Sequence, residues 1–142
     1  MGQTADGQAV LMSPDALSKM VDRACGSRPT VVILSACFSG VFLKPVSDAN
    51  RAVFTAARSD RTSFGCGESD RYPYFDDCFL KNFSHAHDFI ELGREVQACV
   101  AEREVETGMS PPSEPQLSVG SGLRPVLPLY PLAADSRSPT AF

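Results

Sequence analysis

The run Thr-Val-Val-Ile-Leu at residues 30–34 constrains this chain more than any other feature. Thr30 to Ile33 are all β-branched, and such side chains lose rotamer freedom in a helix but pack well on a pleated surface. Pro29 closes the run on one side, so the stretch is too short for a helix and reads as a strand. With no polar alternation, it is expected to be covered on both faces, as strands of parallel sheets are. A parallel neighbour requires a crossover. The next apolar run, Ala52–Ala56 (AVFTA), is the candidate neighbour, and residues 35–51, with Gly40, Pro45 and Asn50, supply the crossover.

Helical signals flank these strands. Ser13-Pro14-Asp15 marks a helix start, with Ser13 as N-cap and Pro14 at the first helical position. Leu17, Met20, Val21 and Ala24 then share a face, and Gly26 ends the helix. The segment SDRTSFGCGESDRYP reads as a polar loop. Tyr74–Phe83 is a candidate helix with an aromatic face of Phe75, Phe79 and Phe83. A longer helix from about His87 to Glu106 carries Phe89, Leu92, Val96, Cys99 and Val100 at helical spacing. Met109–Pro115 is a proline-rich breaker, and Gln116–Val119 fits a short strand. Strands alternating with helices predict an α/β three-layer fold with a mostly parallel sheet. The domain is placed at residues 1–122. From Leu123 to Phe142, prolines, serines and isolated apolar pairs predict a loosely held tail.

At 142 residues the chain is the size of one domain. Its formal charge of −4, without a lysine-arginine cluster, argues against nucleic acid as the main partner. No apolar run has the length of a membrane span, and the N-terminus lacks the pattern of a signal peptide. Met1-Gly2 resembles a myristoylation start, but Asp6 stands where that signal needs Ser or Thr. As written, the chain reads as cytoplasmic. Five cysteines at irregular spacing make a poor disulfide framework, so reduced thiols are expected.

In α/β sheets ligands bind beyond the carboxyl ends of the strands, and Cys37 falls there. Its thiolate is a candidate nucleophile, with backbone N–H groups of the Cys37–Gly40 turn available to an oxyanion. Gly40 lets the backbone come close to a substrate. The competing reading makes Cys37 a buried structural thiol, since free cysteine is among the most buried residue types. A third reading, a redox or metal protein, needs close cysteine pairs, and there is no CxxC.

VVILSACFSG, then AVFTAARSDRTSFGCG, then YPYFDDCFL resembles the legumain-like cysteine peptidases, or asparaginyl endopeptidases, and most closely their bacterial branch. The similarity extends through AEREVETGMSPPSEPQLSVG, covering roughly residues 5–120. It implies a caspase-like α/β fold, a Cys-His dyad, a peptide or protein substrate, and no cofactor or metal. Cys37 matches the family nucleophile. Ser63 matches a residue lining the specificity pocket, and Asp77 an acidic pocket residue facing the side chain before the scissile bond. A carboxylate there suits an asparagine amide or a basic group. From the residues alone, Asp77 equally reads as a helix start and Ser63 as a loop hydrogen bond. Ser35 stands two residues before Cys37, where animal and plant legumains carry a pocket glutamate, so this substrate-binding position departs from them.

The dyad histidine of the family lies upstream of the cysteine, in a His-Gly pair. This chain has no histidine before Cys37; His85 and His87 are its two. They fall at the entrance of the long helix, where a solvated position, a relocated base and an HxH metal pair are the alternatives. MGQTADGQAVLMSPDAL resembles the family segment that begins at the His-Gly pair, with Met1 near the histidine position. The resemblance therefore implies the C-terminal portion of the caspase-like fold, with nucleophile and part of the pocket but without the base. Such a chain is expected to be inactive, or to act as a peptide-binding module. Strands preceding that histidine belong to the same sheet, so the 30–34 strand is expected to lack a neighbour and to self-associate.

Overall fold

A computed structural model describes residues 2–3, 9–67 and 70–132. Met1, residues 4–8, Glu68, Ser69 and residues 133–142 of the expected tail lie outside the described residues. A two-residue ribbon comes first, β1 (Gly2–Gln3) paired antiparallel with β2 (Ala9–Val10). There follow α1 (Pro14–Cys25), β3 (Thr30–Leu34), a 3₁₀ turn (Ser39–Phe42) and α2 (Leu43–Val46). Next are β4 (Arg51–Thr55), α3 (Tyr74–Phe83), α4 (Phe89–Thr107), β5 (Gln116–Val119) and a closing 3₁₀ turn (Leu127–Leu129).

The larger sheet has the order β3-β4-β5. β3 and β4 run parallel, with Val31 opposite Ala52 and Ile33 opposite Phe54. β5 returns antiparallel, with Leu117 opposite Phe54. The α/β class stands. The sheet is mixed rather than mostly parallel: one of its two pairings is antiparallel, because the proline loop after α4 turns the chain straight back along β4.

Alternation along β4 sorts the two faces. Phe54 packs with Phe75, Cys78, Leu92, Val96 and Val100 beneath α3 and α4. The aromatic stripe expected on α3 forms a ladder: Phe54–Phe75 at 5.3 Å, Phe75–Phe79 at 6.2 Å and Phe79–Phe83 at 5.8 Å between ring centroids. Phe75 is 1% exposed, a burial worth about 2–3 kcal/mol by area. On the other face, Arg51 reaches the Val46 carbonyl (2.9 Å) and Asp22 (2.7 Å), and Ser47 donates to Ser118 Oγ (3.1 Å). Helices on both faces give three layers.

Local signals explain the element ends. Ser13 Oγ accepts the Ala16 N–H at 3.1 Å, capping α1 with Pro14 at its start. Asp88 accepts from Ile90 and Glu91 at 2.8 and 3.0 Å, so α4 begins at Phe89, just after the expected His87. Gly108 ends α4 at φ 69°, the left-handed conformation that a Cβ disfavours.

Two burial expectations are corrected. β4, not β3, is the strand buried on both faces. Among the described residues β3 is an edge with one neighbour, and Ile33 remains 43% exposed. α1 buries no residue and leaves Met20 48% exposed, because it packs on α2 and the 3₁₀ turn rather than on the sheet. The stretch 123–132, read from the sequence as the start of a loose tail, is anchored at two leucines and is otherwise mostly exposed. Leu123 and Leu127 are 2% and 3% exposed against Ala52, and the Leu132 N–H donates to the His87 carbonyl at 2.9 Å.

Candidate active site

The carboxyl end of β3 turns sharply. Phe38 adopts φ 57°, an uncommon left-handed conformation for a bulky residue, and the 3₁₀ turn begins at the next position. This leaves Cys37 exposed at the crest of the turn. Two backbone bonds hold the turn: the Phe38 N–H donates to the Arg61 carbonyl (2.8 Å), and the Ser39 N–H to the Ala36 carbonyl (3.3 Å). Ser39 itself is fully buried, and its hydroxyl accepts the Ala57 N–H at 3.2 Å. Gly40 lies against the exit of β4. A Cβ there would come within 2.4 Å of the Ser59 nitrogen and 2.9 Å of the Ala57 carbonyl oxygen. The close approach that Gly40 permits is thus to the protein's own backbone.

Ser63 is the residue the fold brings to Cys37. Its N–H donates to Sγ at 3.4 Å, and its hydroxyl lies 3.3 Å from the same sulfur. Among the described residues, Ser63 alone hydrogen-bonds to the sulfur, and Ser35 is exposed just beyond β3. The 58–61 segment behind Ser63 is braced by Arg58, which reaches Asp60 at 2.6 and 2.9 Å and Glu114 at 2.6 Å. The Arg58 guanidinium holds the Asp60 carboxyl down at about 2. These bonds tie the exit of β4 to the entry of β5.

Asp77 stands in the first turn of α3, and Lys81 and Arg103 hold its carboxylate. The hydrogen bond from Lys81 comes first, then the one from Arg103, in lowering its pKa below the ordinary aspartate value. Its charge is therefore already compensated by two cations. Glu104, the next residue on α4, is 2% exposed and accepts the Ser113 N–H (3.1 Å) and the Ser113 hydroxyl. Arg58, Tyr74, Arg103 and Glu104 were not singled out from the sequence. Arg58 meets Glu114 and Arg103 meets Asp77 across 56 and 26 residues of chain, and the Glu104–Ser113 bond depends on how the proline loop folds back on α4.

The two histidines lie elsewhere. His85 Nδ1 is 3.1 Å from Ser84 Oγ, and the His87 N–H donates to Glu91 at 2.6 Å. Phe89, just beyond them, lines a groove of about 400 Å³ with Pro29, Thr30 and Val31, at the amino end of β3. Cys37 is beyond the other end, and five parallel-strand residues span about 16 Å. Among the described residues, no cluster of His, Cys, Asp and Glu is placed to hold a metal ion.

The cysteines require one correction. Cys78 and Cys99 form a disulfide between α3 and α4, with their Cα atoms 5.8 Å apart, so the thiols are not all reduced. Irregular spacing in sequence concealed a pairing made by two antiparallel helices. Cys25, Cys37 and Cys66 are free.

No helix among the described residues is long and apolar enough to cross a membrane. No curated protein matches the chain in a sequence comparison. The model of the Peptidase C13 family matches residues 8–117, a span holding β3, the Cys37 turn, the Ser63 loop and both long helices, and the chain belongs to that family.

Proposed function

We propose that Cys37 is the nucleophile of a cysteine endopeptidase site, attacking a peptide carbonyl to form a thioester. The observation that carries this reading is the exposed thiol on a left-handed turn at the carboxyl end of β3, with the Ser63 N–H directed at its sulfur. Ser63 borders the thiol, and this reading assigns Ser35 to the substrate side chain and the backbone N–H groups of the Cys37–Gly40 turn to the oxyanion. The same reading assigns Asp77 to the substrate side chain; it connects to the Ser63 loop through Arg103 and Tyr74. Paired with Lys81 and Arg103, it suits a neutral amide side chain better than a basic one.

Cleavage also needs a base to take the thiol proton and an acid for the leaving amine. His85 and His87 are at the wrong end of the sheet for either task. The described residues therefore supply a nucleophile without the groups that move its proton, so forming the thioester from a peptide is itself expected to be slow, while a reactive electrophile, which needs no protonated leaving amine, can still trap the thiol. The same displacement of the histidines favours a second reading, a module that binds peptides without cutting them. The Cys78–Cys99 bond weighs toward an oxidising compartment and against a reducing cytoplasm. The edge of β3 supports pairing with a second copy of the chain, which the concentration dependence of sedimentation would report.

The decisive experiment is intact-mass labelling with a peptidyl electrophile carrying asparagine before the warhead, beside Cys37→Ala and an iodoacetamide control. Selective labelling that vanishes in Cys37→Ala is expected. Slow alkylation spread over Cys25, Cys37 and Cys66 would overturn the nucleophile reading.

A further inference from the structure

A column of packed groups runs from α4 to the loop that touches Cys37. At its base, Lys81 (2.7 Å) and Arg103 both donate to Asp77 Oδ2. The Arg103 guanidinium carbon sits 4.5 Å from the centroid of the Tyr74 ring. Tyr74 is 6% exposed and packs on Gly65, where an added Cβ would come within 2.5 Å of the ring. Gly65 adopts φ +83°, so both its conformation and its lack of a side chain serve this contact. The Tyr74 N–H donates to the Phe64 carbonyl at 3.0 Å, closing the 64–74 loop. Ser63, next to Phe64, then meets the Cys37 sulfur.

We infer that Arg103 is a positioning residue for Cys37: anchored by Asp77, it clamps the Tyr74 ring onto Gly65 and so fixes the Ser63 loop against the thiol. A guanidinium suits this task because its plane can lie over a ring while its edge donates to a carboxylate. Lys81 supports Asp77 from the solvent side, its side chain 66% exposed, and among the described residues Arg103 is the cation over the Tyr74 ring. Asp77 thereby acquires a role that needs no substrate. The placement of the loop stands independently of the activity; its consequence for acylation rests on the proposed nucleophile.

Amide hydrogen exchange on the full chain tests this without requiring activity. Arg103→Ala is expected to speed exchange at the Ser63 and Tyr74 amides by about tenfold, the scale of a lost cation–ring contact. The β4 amides of Val53 and Thr55 should keep their protection. Arg103→Lys should keep part of the Ser63 protection, and Tyr74→Phe, which retains the ring under Arg103, should keep all of it. Unchanged Ser63 exchange in Arg103→Ala, or an equal rise across β4, would overturn the inference. A parallel arm follows labelling of Cys37 by the peptidyl electrophile, normalised to iodoacetamide alkylation of Cys25. If the wild type labels, Arg103→Ala should label more slowly. A wild type that does not label counts against the nucleophile and leaves the exchange result to judge the column.

Discussion

Gly40→Ala is expected to destabilise the chain and to disturb Cys37 together. The new Cβ would lie 2.4 Å from the Ser59 nitrogen, 2.7 Å from the Arg58 carbonyl carbon and 2.9 Å from the Ala57 carbonyl oxygen. All three are backbone atoms, so no side chain can swing aside. Overpacking of this kind costs about 1–3 kcal/mol. Alanine returns up to roughly 1 kcal/mol by its better helical propensity in the 3₁₀ turn. Moving the 57–59 backbone also strains the bond from the Ala57 N–H to the buried Ser39 hydroxyl, which costs about 1 kcal/mol more. The steric cost wins, leaving a net loss of about 1–3 kcal/mol, or roughly 3–10 °C in Tm. Urea denaturation followed by circular dichroism reads the stability, and iodoacetamide kinetics at Cys37 relative to Cys25 read the turn. Gly108→Ala is the control. Its φ of +69° makes alanine cost about 1 kcal/mol, but it faces open space and should leave the Cys37 kinetics alone. A Gly40→Ala protein within about 0.5 kcal/mol of wild type would refute the steric argument.

Glu104→Ala should cost about 3 kcal/mol in urea denaturation, because it strands the buried Ser113 N–H and hydroxyl; Glu104→Gln, which keeps an acceptor, should cost less. Removing the Cys78–Cys99 bond by Cys99→Ser should cost about 3 kcal/mol by loop closure over its 21-residue separation. Without reductant, alkylation of the unfolded wild type should add to the three free thiols, and modification of all five would refute the pairing. Asp77 titrates below 3.8 when folded, so its ion pairs stabilise the protein fully above that value and are lost as pH falls through the lowered folded pKa. The stability gap between wild type and Asp77→Asn should therefore be present at pH 7 and close below about pH 3.8; a gap that is constant with pH would refute it.

Local chemistry made much of this chain legible in its sequence. The β-branched run 30–34, the Ser13-Pro14 cap, the aromatic spacing of α3 and the Gln116–Val119 strand each rest on interactions within a few residues, and each forms where expected. The cysteine at the end of β3 was visible for the same reason, since a strand running into a small-residue turn fixes where the thiol emerges. Tertiary structure decided everything that depends on what lies across from a residue. It buried Arg51 in β4, where its charge meets Asp22 and the Val46 carbonyl, and it left the more apolar β3 at the edge. It joined Cys78 to Cys99, and it drew Leu123 and Leu127 out of an apparent tail onto the sheet. It also turned Asp77 toward Arg103 and set Ser63 on the Cys37 sulfur. Periodicity shows which face of an element is apolar, but the partner on that face comes from another part of the chain, and only the packed fold specifies it.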